Sequence, residues 1–574
     1  METSEIIQVV EQLRVDVDSL QDPAVKASFV LLLNLVERLA AENLRLRQEN
    51  ERLQEELRRC QGSDKSARTS GPRERTANVS SEKERKKRPP RDHSPRADRR
   101  SFKDIPIQEE KICPVDPQAL PADARFVGYE DVVVQDLAIQ PHNIKFRKEI
   151  WYSRSQKKHF HGPLPPGYQG EYGPQLKALI IALKYAAGTS EPRVQELLEN
   201  FGVQISPATI SHIFLETAEL FDPEKSDIFQ AGLESTSYQQ IDDTSATVNG
   251  EPWHTHIVCN PYYTAYFTTE HKDRLTVLDI LRDFAPRSYR FNAEAMRLLE
   301  TLGAPKWLLA RLAEVEQDRD FTQAEMDALL AEWFPLPEKG QAHRNHILEA
   351  GAIASYHDQQ EIPVPILICD DAGQFKLLTE LLGLCWIHDG RHYKKLSPVV
   401  PLHQQKLSDF TERYWDYYGQ LQTYRQAPTA AEKDRLSAEF DRLFSTRTGY
   451  DDLDDRIAKT RGKKEYLLTV LEHPEVPLHN NASELGARVS ARRRDVSLQT
   501  RNARGTRAMD TFTTIVQTAK KLGVSAYAYF YDRISRRNLL PSLASLIRVH
   551  AHSPPLPSLP LPQSPVGLAN AAFF

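Results

Sequence analysis

Apolar residues recur along the chain with two different periods, and the changes of period divide it into stretches. Leu32, Leu39, Leu46 and Leu53 repeat every seven residues, with Val36, Asn43, Asn50 and Leu57 on the companion position of the same stripe. This spacing predicts a helical coiled coil over residues 1–60. Seam asparagines such as Asn43 and Asn50 favour a parallel dimer in fixed register, with some loss of stability. Glu42 can reach Arg47 of a partner helix across such a seam. A single amphipathic helix packed on its own body explains the same stripe. Residues 61–110, with SEKERKKRPPRDHSPRADRR, hold too few large apolar side chains to offset the entropy of ordering, and read as a basic, disordered linker.

Residues 111–170 carry short alternating runs (ARFVGYEDVVVQDLAI, HNIKFRKEIWYSR) that predict a small β-rich segment. Helical periodicity takes over at 171–232. One helix there ends near Asn200 and Phe201, Gly202 supplies a turn, and Ser206-Pro207 starts the next. The pattern resembles a helix-turn-helix whose second helix presents Thr209, Ser211 and His212 to DNA, although an ordinary helical hairpin reads the same way. From Tyr238 onward, SYQQIDDTSATVNG, EPWHTHIVCN and YYTAYFTTE predict three antiparallel strands, divided at Asn249-Gly250 and Asn260-Pro261. A helix (RLTVLDILRDF) follows, then a buried strand ending in acid (VPILICDDAGQF), a helix (FKLLTELL) and a further strand (GLCWIH). This is the order of a ribonuclease-H-like mixed sheet. It implies an α/β catalytic domain over 233–530, with helical insertions at about 285–360 and 403–471. Residues 531–574 read as a C-terminal helix and a proline-rich tail.

Composition alters this picture little. The 574 residues carry a net charge of −5, so nucleic-acid binding has to come from local arginine clusters rather than bulk charge. The start METSEIIQVVEQLRV lacks the basic and apolar parts of a secretory signal, and no apolar run reaches membrane-spanning length. Five scattered cysteines (Cys60, Cys113, Cys259, Cys369, Cys385) suit a reducing cytoplasm. Cys385 and His388 supply two ligands, too few for zinc, and on a buried strand they are expected to serve packing.

Three acids stand out. Asp242 lies on the first strand and Asp370 ends the fourth, each beside a second acid (Asp243, Asp371) that a regular strand would point the other way. In HNNASELGARVSARRRDV an asparagine cap leads into a helix, with Ala482, Leu485 and Val489 as its apolar side. Glu484, Arg488 and Arg492 share another side at i, i+4, i+8 spacing. Three carboxylates converging from distant sequence can hold two hard divalent cations, and neighbouring arginines (Arg488, Arg492, Arg493) can hold a phosphate backbone.

At these residues the chain resembles the transposases of the insertion sequence 66 family. Asp242-Asp243-Thr244 is similar to that family's Asp-Glu-Thr motif. ILICDDAGQF is similar to its Asp-Gly-Tyr-like motif, with Asp371 where the family has glycine. Cys385-Trp386-Ile387-His388, with Arg391, matches its cysteine-tryptophan-x-histidine motif. Asn480, Asn481, Glu484 and Arg488 match its Asn-Asn-x-x-Glu-x-x-x-Arg pattern, and TRNARGTRAMDTFTTIVQTAKKLGV looks like its closing helix. The resemblance runs loosely over the coiled coil and firmly over about 145–530. It implies an Asp-Asp-Glu transposase with Asp242, Asp370 and Glu484 as the catalytic, metal-binding triad and Mg2+ or Mn2+ as the ions. Cleavage at element ends and 3′-hydroxyl strand transfer into target DNA would follow, with a homodimer and possible accessory proteins as partners. The cysteine-rich zinc segment of many members is missing here, so no zinc is expected. Two rivals are a catalytically silent DNA-binding relative and a metal nuclease without strand transfer.

Overall fold

The structure, a computed structural model, describes residues 21–61, 107, 109–116, 120–121, 124–317, 319–336, 340–358 and 364–552. The expected linker and proline-rich tail lie almost wholly outside the described residues.

A hairpin of β1 (Ile150–Ser153) and β2 (Lys158–His161) forms in the 111–170 stretch, with an isolated bridge from Gln169 to Tyr172 at its end. The alternating residues of ARFVGYEDVVVQDLAI, predicted as strands, form none. The described residues from Ile107 to Lys145, together with 197–204, belong to a separate unit. Within it Gly202 takes φ +80°, and Val203 N–H bonds back to Leu198 O at 2.9 Å, closing the helix Glu191–Asn200 with the left-handed residue such ends favour.

The second, larger unit is built on a five-stranded sheet. Its strands are β3 (Tyr238–Val248), β4 (Glu251–Cys259), β5 (Thr264–Thr269), β8 (Ile366–Cys369) and β9 (Leu381–Leu384). The short β6 (Ser288–Arg290) and β7 (Asp320–Thr322) pair apart from it. The order is β5-β4-β3-β8-β9, with β3, β4 and β5 antiparallel and β8 and β9 parallel to β3. Asn249 (φ +51°) and Gly250 (φ +87°) make the tight β3–β4 turn, whose backbone twist matches that of the strands. β8 is wholly buried, which is why its sequence is a continuous apolar run.

Past β8 the pattern misleads. FKLLTELL, predicted as a helix, forms a 3-10 turn at Gly373–Phe375 followed by an irregular passage into β9. The strand expected over GLCWIH stops at Leu384, and Trp386–Lys394 is a helix. Four-residue β8 and β9 leave too little sheet to continue, and Trp386 anchors the new helix by burying its ring. Its indole N–H donates to Leu467 O at 2.9 Å, among Tyr414, Tyr417, Phe440 and Phe444. Those rings belong to the second insertion, helices Pro401–Tyr424 and Ala430–Phe444, which precede Asp451–Arg461. The first insertion contains helices Ala293–Thr301, Lys306–Ala313, Gln323–Trp333 and Gln341–His357.

The helix Asn481–Ser497 lies on β3 and β4. Its buried face is Ser483 and Gly486, not the expected Ala482-Leu485-Val489, and Leu485 is exposed. A Cβ at Gly486 would stand 2.7 Å from Ile257 Cγ2, so only glycine allows so close an approach to the sheet. Asn480 does not cap this helix with its side chain. It ties the helix start to the strand instead, its Nδ2 donating to Ile241 O at 2.6 Å.

The first helix, Pro23–Gln61, is continuous, and its two flanks have different fates. Leu33, Asn34, Glu37 and Ala40 are buried on the chain's own second insertion. Asn34 donates to Gly449 O (2.9 Å) and accepts from Asp451 N–H (3.0 Å). Glu37 accepts Val399 N–H (2.6 Å), Val400 N–H (2.9 Å) and bonds His403 Nδ1 (3.1 Å). It thereby satisfies the start of the Pro401–Tyr424 helix, which has no side-chain cap of its own. The expected seam residues Leu32, Leu39, Asn43, Leu46, Asn50 and Leu53 are exposed.

Candidate active site

Asp242 and Asp370 meet because of strand register. Gln240 pairs with Ile368 across parallel β3 and β8, so two residues further on, where side chains return to the same face, these aspartates stand side by side. Asp242 Oδ1 accepts Asp243 N–H at 2.9 Å, and Asp370 Oδ1 accepts Ala372 N–H at 3.0 Å. Burial pushes the Asp242 carboxyl up to about 7, and the charges of Asp370, Asp243 and Glu484 add to that effect. Glu484 therefore bears on the same point from the helix Asn481–Ser497. Among the described residues no cation pairs with Asp242 to offset this.

The two neighbouring acids are held elsewhere. Asp243 accepts Gln374 Nε2 at 2.7 Å and lies 3.6 Å from Lys272 Nζ. Asp371 lies 2.8 Å from Lys376 Nζ and 2.5 Å from Lys463 Nζ. Partial burial raises its carboxyl, but these two lysines outweigh that and hold it below the usual carboxylate range. Asp371 is thus neutralised by protein cations, whereas Asp370 faces Asp242.

Glu484 is held by the helix Trp386–Lys394. Arg391 donates to Oε2 at 3.2 Å, and His388 Nδ1 lies 3.6 Å from Oε1. Oε1 is buried and accepts no hydrogen bond. Cys385 takes a different part. Its thiol is fully buried and accepts Asn480 N–H at 3.3 Å; burial pushes it up to about 12 against the pull of the Asn480, His388 and Ile387 amides. It stays a neutral thiol joining the starts of two helices, a structural role like the one expected from sequence, though not on a strand. His388 is separated from that role and turned to Glu484.

The proposed DNA contacts divide sharply. Arg492 is exposed and Arg488 half-buried, each without an ion pair or hydrogen bond to the described residues. Arg493 points inward. It donates to Tyr185 O at 2.7 Å, to Thr513 Oγ1 and to Met509 Sδ, and lies over the Tyr185 ring at 5.1 Å. Its place seven residues after Gly486 puts it on the same side of the helix, where its guanidinium is taken up by the protein's own groups. Thr209 Oγ1 lies 2.8 Å from Ser206 Oγ within the cap of helix Pro207–Glu234, and Ser211 donates to Glu191 of the preceding helix. Ser211 thus ties the two helices together, while the Thr209 hydroxyl engages its own helix cap. One face of that second helix, including Ile210, Phe214, Phe221 and Phe229, is buried.

Sequence reasoning missed Lys463 and Gln374 as neighbours of the acids and named Arg391 without giving it a role. Only Arg391 carried a signal, by its place in the Cys-Trp-x-His motif; the other two reach the acids through tertiary packing.

The family model described as Transposase IS66 family matches residues 169–289 and 337–508, just over half the chain. The chain belongs to the IS66 transposase family. The gap between the two matched stretches falls within the first helical insertion and spans the helices Ala293–Thr301, Lys306–Ala313 and Gln323–Trp333. An uncharacterized protein of Sinorhizobium fredii, y4jO, is 32% identical to the transposase over 326 residues, 56% of this chain and the whole of that protein. No helix among the described residues is long and apolar enough to cross a membrane.

Proposed function

We propose that this IS66 family member cuts DNA at element ends and joins the freed 3′-hydroxyl to target DNA in a ribonuclease-H-like core, with Asp242, Asp370 and Glu484 as the ligands of divalent cations. The strand order β5-β4-β3-β8-β9 supports the ribonuclease-H-like reading. One observation carries the chemistry: Asp242 is buried and raised to about 7, with the negative charges of Asp370, Asp243 and Glu484 adding to the effect of burial. Glu484 Oε1, buried with no hydrogen bond, fits the same need for a cation. All three acids offer hard oxygen donors, which suit Mg2+ or Mn2+. Two such ions would stabilise the attacking and leaving oxygens of an in-line displacement at phosphorus.

The chain's own residues do the rest. Asp242 and Asp370 present oxygens from adjacent parallel strands, and Asn480 fixes the glutamate helix to β3 one residue before Asp242. Arg391 orients Glu484. Lys376 and Lys463 keep Asp371 from competing as a ligand. Arg488 and Arg492, on the same helix as Glu484, are placed to take backbone phosphates. At the helical hairpin, the exposed Ala208 and His212 are the part open to DNA. The exposed leucine stripe of the first helix would pair with a second copy, and Leu46→Asp should then convert a dimer to monomer in sedimentation.

The test supplies full-length protein with duplexes carrying the element ends, target plasmid and Mg2+ or Mn2+. Joined products that disappear with Asp242→Asn, Asp370→Asn or Glu484→Gln are expected. Cut ends without joined products would favour a nuclease, and cleavage surviving in the Asp242→Asn protein would refute the assignment.

A further inference from the structure

The side chains of Cys385, His388 and Glu484 bring potential ligand atoms within 4.8 Å of one another. Cys385 is accounted for: its thiol is buried and occupied by the amide of Asn480. The remaining pair is different. Glu484 has its Oε2 on Arg391, which leaves Oε1 as the oxygen turned to His388, with 3.6 Å between Oε1 and Nδ1. Two ligand atoms bound at about 2.1 Å to one ion in neighbouring positions lie roughly 3.0 to 3.4 Å apart. A movement of a few tenths of an ångström would therefore put both atoms on one cation. Oε1 is also buried and accepts no hydrogen bond, so it lacks the partner a buried carboxylate oxygen needs.

We propose that His388 is a fourth protein ligand, binding through Nδ1 the same cation that Glu484 binds through Oε1. This inference rests on the reading of Asp242, Asp370 and Glu484 as cation ligands and adds a nitrogen donor to one of the two positions. Imidazole is a good ligand for transition ions and a poor one for Mg2+, which prefers oxygen and water. The position beside Glu484 is then selective for Mn2+ or a similar imidazole-accepting ion, while the Asp242–Asp370 side keeps an all-oxygen protein set that Mg2+ can occupy. The local fold explains how a histidine comes to be there. The helix begins at Trp386, so His388 falls in its first turn, directed at the glutamate helix, with Arg391 one turn further along on the same side.

The alternative for His388 is a purely electrostatic one, an imidazolium paired with the Glu484 carboxylate that orients it and touches no metal. Pulsed electron paramagnetic resonance of Mn2+ bound to the full-length protein with a short duplex separates the two. With Mn2+ as the probe, the wild-type spectrum should show nitrogen modulation from a directly bound imidazole, changed in pattern when the protein is labelled with 15N-histidine. His388→Gln should abolish that modulation and weaken one class of Mn2+ site by about tenfold or more, the range known for lost coordination-sphere support. His388→Asp, which restores an oxygen ligand and guards against a merely misfolded variant, should recover binding without nitrogen modulation and lessen the preference for Mn2+ over Mg2+. Mn2+ bound normally by the wild type with no nitrogen modulation, or modulation persisting in His388→Gln, would overturn the histidine ligand and leave the carboxylate site standing. Failure of the wild type to bind Mn2+ at all would remove both.

Discussion

Replacing Asp242 by asparagine should make the metal-free protein more stable at high pH. The Asp242 carboxyl is raised from 3.8 to about 7, by burial first and then by the charges of Asp370, Asp243 and Glu484. A group with those two values carries an extra proton in the folded state between them. Its favourable contribution is complete below pH 3.8, declines as pH rises, and is gone above about 7. At about 1.4 kcal/mol per pH unit, the span corresponds to about 4 kcal/mol at most. Asparagine has nearly the same shape, and its oxygen can still accept Asp243 N–H as Asp242 does at 2.9 Å, so packing is kept while the charge is removed. Urea unfolding in EDTA at pH 5 and pH 8.5 gives the comparison. The Asp242→Asn protein should gain a few kcal/mol on wild type as pH goes from 5 to 8.5. Saturating Mn2+ should then reverse the order at pH 8.5, because wild type gains about 2.7 kcal/mol at a hundredfold excess over Kd and the variant gains little. A variant that is no more stable at pH 8.5 than at pH 5, relative to wild type, would refute the picture of a repulsive cluster.

The pairing of Asp371 with Lys376 and Lys463 predicts that Asp371→Asn keeps most cleavage, whereas Asp370→Asn loses at least about a hundredfold in single-turnover rate. Equal losses would mean that the two acids share the role. Gly486→Ala should destabilise the catalytic unit, since overpacking against Ile257 Cγ2 at 2.7 Å costs about 1–3 kcal/mol and the better helix propensity returns only about 1; a rise in the melting temperature would contradict this. Glu37→Ala strands Val399 and Val400 N–H, worth about 1–3 kcal/mol each. Hydrogen exchange should accelerate at those amides and along the first helix around Leu33 to Ala40 while the sheet stays protected, and unchanged exchange would deny Glu37 its capping role.

Much of the site was legible because it is carried by local pattern. The antiparallel strands β3, β4 and β5 declare themselves through alternation and the Asn249-Gly250 turn, and β8 through an unbroken apolar run. Asp242 could be singled out within β3, Asp370 directly after β8 and Glu484 in the first turn of the helix Asn481–Ser497, with the family resemblance choosing between neighbouring acids. Elements decided by packing were not legible. GLCWIH looks like a strand, yet Trp386 finds its partners in an insertion beginning at Pro401 and the backbone turns into a helix. The same limit applies to Arg493, whose spacing resembles a basic surface but whose side chain is claimed by Tyr185 and Thr513 from distant helices. The first helix packs on its own body through Leu33, Glu37 and Ala40, while Leu39 and Leu46 of the predicted seam, on another flank, are exposed. Sequence period alone does not tell which stripe of a helix docks on its own chain.

The most direct test of the account is anomalous diffraction from crystals of the full-length protein with an element-end duplex and Mn2+. It predicts two anomalous peaks about 4 Å apart, one touched by Asp242 and Asp370 and the other by Glu484, with the scissile phosphate between them. Manganese bound to the phosphate but away from all three carboxylates, in a complex that still cuts its DNA, would contradict it.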